Sequence, residues 1–300
     1  MRFRKPGKVI DNLWYLGTEE SGVYALRGDR GTALISGGMS YILPGVLSQM
    51  GAFGIAPGEI TTLVILHSHF DHVGIVPYFA RKYPAIRVVG SEAAIATFQK
   101  PRAIEFINGY NLLMAGERKE SLREFDLEWR PDIVVLPARE GERIDLGGVH
   151  LKIFETPGHS NCSISAYEPD HKILFASDAV GIPFSDKLFP AMNTNVDQFL
   201  ASLEKLDSLE VDVFCADHYG YITGEEARTI VRQTIDEALN MKTAFIEALR
   251  RNDSDIDAAA KQCLAYTYEQ MPGYFLAPEI LEGVLKQTLK YLDRAQRSEA

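Results

Sequence analysis

Four side chains of metal-ligating type are crowded into six residues, His67-Ser68-His69-Phe70-Asp71-His72, directly after the apolar run Leu63-Val64-Ile65-Leu66. Imidazole nitrogen and carboxylate oxygen are the donors that a hydrolytic Zn²⁺, Fe or Mn ion accepts. A buried strand is a rigid support, and a turn at its end can aim several polar side chains at one point. Without an ion, holding three imidazoles and a carboxylate behind a fully apolar strand would be costly. The same placement recurs three times further on. His159, in Thr156-Pro157-Gly158-His159-Ser160, follows the apolar stretch 151–154; Asp178, in Phe175-Ala176-Ser177-Asp178-Ala179, follows 172–175; His218, in Asp217-His218-Tyr219-Gly220, follows 211–215. Each of the three alone reads as an ordinary cap or turn residue. Taken with the first motif they read as one ligand set: His67, His69, Asp71, His72, His159, Asp178 and His218.

The elements that must position this set alternate in type. Short runs rich in β-branched residues, bounded by Gly and Pro, predict strands over 9–16, 22–26, 32–35, 61–66, 86–89, 133–136, 149–154, 163–167, 172–175 and 211–215. Apolar residues returning at three- and four-residue intervals predict helices over 42–50, 73–82, 92–99, 103–123 and 196–209. The order is that of an α/β sandwich and not a strict βαβ alternation. After Gly224 the strand signal stops. Helices are expected over 225–250, with Thr223 as N-cap, over 256–268, and over 278–295, where Pro278 falls in the first turn and its missing N–H costs nothing. The expected domains are therefore 1–224, with a helical insertion at about 101–125, and a helical subdomain at 225–300 that packs near the active site.

Composition narrows the partners. The chain has 300 residues, 46% of them hydrophobic, enough to bury a core without staples. Its net charge of −10 argues against nucleic acid and anionic membrane, which need a field of Lys and Arg. Cys162, Cys215 and Cys263 form no C-x-x-C pair, so neither a disulfide framework nor a thiolate zinc site is expected. The basic start MRFRKPGKVIDNLWYL has no apolar signal-peptide run, and no stretch reaches the roughly 18 apolar residues of a membrane span. A cytoplasmic protein is expected, with homodimerisation left open. His150 and His171 lie away from any ligand run and read as surface residues, Cys162 as a small buried thiol, and Arg118-Lys119-Glu120 as a solvated helix face.

The pattern H-x-H-x-D-H, a His in P-G-H-S, an Asp in S-D-A and a last His resembles the metallo-β-lactamase superfamily, over residues 9–224. The resemblance implies a four-layer αββα sandwich with two divalent ions at one edge, zinc or iron, with manganese also compatible. It implies that His67, His69 and His159 hold the first ion, that Asp71, His72 and His218 hold the second, and that Asp178 bridges them. Class B β-lactamases carry Cys where Asp178 stands, and flavodiiron proteins Glu where His69 stands, so both fit less well. The likeness is greater to the thioesterase branch of PqsE, carried by Ile35-Ser36-Gly37-Gly38 in place of D-T-G, Pro77-Tyr78 after the motif, the insertion around 105–123 and the helical C-terminus, while glyoxalase II is similar in having helices after the core. Two departures matter. Ser36 stands where many members carry an acid that supports a ligand, and Tyr219 adds bulk beside His218 where G-H-G is commoner.

The implied reaction is hydrolysis of a small-molecule thioester, lactone or related ester by a hydroxide shared between the ions, or of a phosphodiester by the same centre. Asp71 would orient the nucleophile and relay a proton, and Tyr219 would donate to the substrate. A PqsE-like effector that keeps the metal site and acts through its surface is the alternative outside catalysis, and iron redox chemistry is a further one. Tyr110, Asn111, Tyr266, Tyr268, Met271, Tyr274 and Phe275, with residues 181–184, are candidates for the walls of a partly apolar pocket.

Overall fold

Strands come first along the chain. In the computed structural model, which describes residues 1–299 apart from the side chains of 298 and 299, β1 (Arg2–Phe3), β2 (Gly7–Ile10), β3 (Leu13–Gly17), β4 (Gly22–Gly28) and β5 (Gly31–Ile35) precede any long helix. Then α1 (Leu43–Ala52), β6 (Ile60–Val64), α2 (Val76–Lys82), β7 (Arg87–Gly90) and α3 (Glu92–Phe98) alternate. The insertion holds α4 (Pro101–Ala115) and α5 (Lys119–Leu122). Beyond it run β8 (Val135–Pro137), β9 (Arg143–Asp145), β10 (His150–Glu155), β11 (Ile164–Glu168) and β12 (Ile173–Phe175). Last come α6 (Val196–Leu206), β13 (Val213–Cys215), β14 (Tyr221–Thr223), α7 (Glu225–Arg251), α8 (Ile256–Gln270) and α9 (Pro278–Glu299).

Two seven-stranded mixed sheets result, β2-β3-β4-β5-β6-β7-β8 and β1-β14-β13-β12-β11-β10-β9. In the first, β2 to β5 pair antiparallel and β5 to β8 parallel. In the second only β12 and β13 are parallel. Period-2 alternation builds one core between them: Leu13, Tyr15, Tyr24, Leu26, Ala33 and Ile35 from one sheet meet Leu151, Ile153, Ile164, Ala166, Ile173 and Phe175 from the other. The Tyr24 hydroxyl is buried among these apolar groups and donates to the carbonyls of Ala216 and Gly220, at 2.6 and 2.9 Å, which ties the core to the turn holding His218.

The chain divides into two compact units. One comprises Met1–Glu155, Cys162–Ser177 and Glu210–Arg228 and contains both sheets; the other comprises Thr156–Asn161, Asp178–Leu209 and the chain from Thr229 onward. In the second unit, α6 starts under the Asn195 side chain, which accepts from the Gln198 N–H, and α8 starts under Asp255, which accepts from Asp257 and Ala258. Among the described residues no helix is long and apolar enough to cross a membrane.

Two sequence expectations change. Residues 9–16 are not one strand but the hairpin β2/β3, turned at Asp11-Asn12, where the Asn12 amide donates to the Arg27 carbonyl at 3.1 Å. The helix expected over 103–123 breaks at Gly116, whose φ of +54° a right-handed α-helix cannot continue through, so α4 and α5 are separate. Asn111, buried on α4, anchors the insertion: its amide donates to the Phe70 carbonyl at 2.7 Å and its oxygen accepts from the Ser40 N–H at 2.8 Å.

Candidate metal centre

The chain leaves β6 at Val64, stays buried through Ile65 and Leu66, and turns at His67 into a short 3-10 turn, Phe70–His72. Within the first unit this turn brings Asp71 and His72 to His218, which follows β13, and all three are buried. His72 Nε2 and His218 Nε2 are 3.2 Å apart, and Asp71 Oδ2 is 3.5 Å from each. The opposite ring nitrogens fix what those atoms are. His218 Nδ1 lies 2.7 Å from the Glu20 carbonyl, which can only accept, so Nδ1 carries the hydrogen and neutral His218 presents a bare lone pair at Nε2. His72 Nδ1 lies 2.7 Å from Asp217 Oδ2, with the same consequence.

With both rings neutral, three acceptor atoms therefore face one another, an arrangement that a cation relieves. Its dimensions suit one: bonds of roughly 2.05 Å at tetrahedral angles separate neighbouring donor atoms by about 3.3 Å. His67 and His69 flank this group, their rings edge to face with centroids 4.6 Å apart, and His67 lies 4.0 Å from the His72 ring.

The second unit repeats the device. His159 Nδ1 is 2.8 Å from the Ala191 carbonyl, which turns His159 Nε2 out as a lone pair, 3.4 Å from Asp178 Oδ2. The Gly158 carbonyl accepts from the N–H groups of Thr194 and Asn195, both at 3.0 Å, and the Thr194 hydroxyl donates to the His159 carbonyl at 2.9 Å. The backbone on either side of His159 is thereby pinned to the 191–195 loop.

Several supports escaped the sequence reading. Asp217 and Ser177 were visible only as neighbours of ligands. The Ser177 hydroxyl donates to Asp217 Oδ2 at 2.6 Å and lies 3.3 and 3.2 Å from the Nδ1 atoms of His67 and His72. Asp217 supplies a carboxylate to His72, whereas the buried Ser36 hydroxyl finds no hydrogen-bond partner. Ser36, Ser177 and Tyr219 all take positive φ, 68°, 48° and 62°, strained backbone beside the site. We expect Asp217→Asn to keep the fold and weaken metal binding by roughly 10- to 100-fold, since an amide holds the tautomer but not the charge. Competition with a chromophoric chelator measures it, and an unchanged affinity would refute the role.

Tyr219 is buried, its N–H donates to the Glu19 carbonyl at 2.6 Å, and the Arg4 guanidinium carbon lies 5.9 Å from its ring centroid. Of the expected wall residues, Tyr110 packs on Phe70 with centroids 5.3 Å apart, while in the second unit Phe184, Phe189 and Phe275 gather around Tyr274. Tyr266 is exposed, and the Tyr268 hydroxyl is taken by the Leu276 carbonyl at 2.6 Å. Cys162 is buried against Ser68, its sulfur 3.2 Å from Oγ, and His171 pairs with buried Glu168 at 3.1 Å.

With two sheets, flanking helices and imidazole–carboxylate groups at strand ends, the chain belongs to the metallo-β-lactamase superfamily, whose model matches residues 17–218. Among its relatives it is 23% identical over 160 residues to the hydroxyacylglutathione hydrolase of Legionella pneumophila (strain Paris), covering 53% of this chain and 49% of that protein. The chain thus spans about half the length of that relative. It is 26% identical over 219 residues to the acyl-coenzyme A thioesterase MBLAC2 of Gallus gallus, covering 67% of this chain and 71% of that one. A metallo-beta-lactamase family protein from Thermus thermophilus shares the fold, with a TM-score of 0.69 at 20% identity over 96% of this chain and 95% of that one.

Proposed function

We propose that this chain is a dinuclear metallohydrolase that cleaves thioesters of small acyl carriers. The observation that carries the reading is the convergence of His72 Nε2, His218 Nε2 and Asp71 Oδ2 as acceptors at 3.2–3.5 Å. His67, His69 and His159 would hold one divalent ion, Asp71, His72 and His218 the other, and Asp178 both. Zinc or iron suits such donors, and manganese is compatible. When bound, two such ions bring the pKa of water from about 15.7 toward roughly 7 and polarise a carbonyl.

The chain's own residues supply the rest. Asp71, ionised, takes a proton from the attacking water and passes it to the departing thiolate. Thiolate is a good leaving group at neutral pH, with a thiol pKa of about 8.5, so no strong acid is required. Asp217 and Ser177 keep His72 in the tautomer that presents Nε2, and Tyr219 donates to the carbonyl oxygen as its charge grows. Phe184, Phe189, Tyr274 and Phe275 offer an apolar wall to the acyl group. Among the named relatives, one is a thioesterase of acyl-coenzyme A and another acts on an acylated glutathione, both acyl groups on thiols, which favours thioesters over lactones and phosphodiesters.

The test pairs elemental analysis with turnover of an acyl-coenzyme A, an acylglutathione, a lactone and a phosphodiester. The expected outcome is about two metals per chain, with thioester hydrolysis that stops on chelation and returns on adding metal. A protein that takes up no metal, or that is loaded and cleaves only phosphodiesters, sinks the reading.

A further inference from the structure

The chain carries a net charge of −10, yet one groove in the second unit is lined by three cations and no acid. It measures about 570 Å³ and runs along α9 past Gly283, Lys286, Lys290 and Arg294, with Thr194 and Tyr291 beside them. The three cations recur every fourth residue, so they share one helix face and follow one another at about 6 Å per step. Like charges one turn apart repel, and a helix gains nothing by stacking them. Lys286 is offset by Asp257 and Glu282, each at 2.8 Å, while Lys290 and Arg294 stand exposed. Gly283 keeps one end of the groove open: a Cβ there would meet nothing within 4 Å.

The groove adjoins the loop that carries His159 through hydrogen bonds. Thr194, which lines it, donates to the His159 carbonyl at 2.9 Å, and Thr288 on α9 lies 3.4 Å from the carbonyls of Met192 and Asn193. Tyr291 is fixed by its hydroxyl donating to Asp197 at 2.6 Å. A bound anion would thus lie along the helix that braces the His159 loop.

Resting on the thioesterase reading above, we propose that this groove binds the phosphate groups of a phosphorylated acyl carrier. Lys290 and Arg294, about 6 Å apart along the helix and both exposed, with Lys286 one turn further on, suit the oxygens of phosphate groups better than one carboxylate. Lysine offers a point charge and arginine a two-pronged donor, the pair suited to phosphate oxygens. A coenzyme A-type carrier and a free nucleotide share this chemistry, and the test separates them.

The purified, metal-loaded full chain is titrated calorimetrically with coenzyme A, adenosine 3′,5′-bisphosphate, inorganic phosphate and glutathione, and compared with K290E/R294E and the milder K290Q/R294Q. Coenzyme A and the bisphosphate should bind the wild type and lose at least about tenfold in the charge-reversed chain, as expected for removing two charge-assisted contacts. Glutathione should distinguish the chains far less. In kinetics, the variants should lose at least about tenfold more in kcat/KM on an acyl-coenzyme A than on the N-acetylcysteamine thioester of the same acid. Equal binding by all three chains, or equal losses on both thioesters, overturns the proposal and leaves the thioesterase reading standing. Charge-dependent bisphosphate binding without any thioester turnover keeps the groove as a nucleotide-phosphate site and removes the thioesterase reading instead.

Discussion

Asp178→Ala is expected to lower kcat/KM on thioesters by on the order of a thousandfold or more, and to cut bound metal from about two ions per chain to one or fewer. Loss of an outer support for a ligand already costs roughly 10- to 100-fold, and Asp178 is proposed as a ligand to both ions. Its position is well determined locally: β12 ends at Phe175, Ser177 takes a φ of +48°, and the buried carboxylate then sits with Oδ2 3.4 Å from His159 Nε2. Truncation removes a carboxylate from beside the His159 imidazole and opens a void that water can fill, so the fold should persist while metal is lost. Metal analysis and steady-state kinetics on the variant read both effects. Two retained ions and wild-type turnover would remove Asp178 from the ligand set and with it the proposal that it binds both ions. The Asp217→Asn variant calibrates the result, because a support should cost less than a ligand.

What could be read in the sequence was set by how local each cause is. His67, Asp71, His72, Asp178 and His218 stand out because an apolar strand or run ends where they begin, and that is a one-dimensional pattern. The atoms that fix the histidine tautomers are a different matter. Two of them are backbone carbonyls, of Glu20 and Ala191, which any residue would supply, and nothing in residue type marks them. Asp217 carried a signal, a carboxylate directly beside a ligand, but its partner His72 is 145 positions away. The shortest strands were hidden for a related reason. Arg2–Phe3 becomes a strand by pairing with Ile222 and Tyr221, and the Arg2 guanidinium reaches Glu226 at 2.6 Å; tertiary context decides, not propensity. The hairpin at Asp11-Asn12 and the break at Gly116 were legible in principle, since Asx turns and left-handed glycines have known signatures, but apolar periodicity ran across both.

Gly158→Ala tests whether the P-G-H-S turn is as tightly specified as its contacts imply. Gly158 has a φ of +134°, which side-chain-bearing residues rarely adopt, and a Cβ there would lie 2.3 Å from both the backbone N and the Cα of Phe199. Those atoms belong to α6, which is held along its whole length by buried Val196, Phe199, Leu203 and Leu206, so the helix cannot step aside cheaply. The strained backbone alone costs on the order of 1–3 kcal/mol, and overlap with a packed helix adds to it, so a loss of about 3 kcal/mol or more is expected in chemical denaturation. If the turn swings away instead, the Gly158 carbonyl leaves the Thr194 and Asn195 N–H groups, His159 loses the Thr194 hydroxyl, and the stability deficit reappears as weakened metal binding. The two readouts are coupled through one residue: a variant that keeps both its unfolding free energy and its metal affinity would show that the turn is looser than the close approach to Phe199 requires, and that His159 is positioned by something other than the backbone on either side of it.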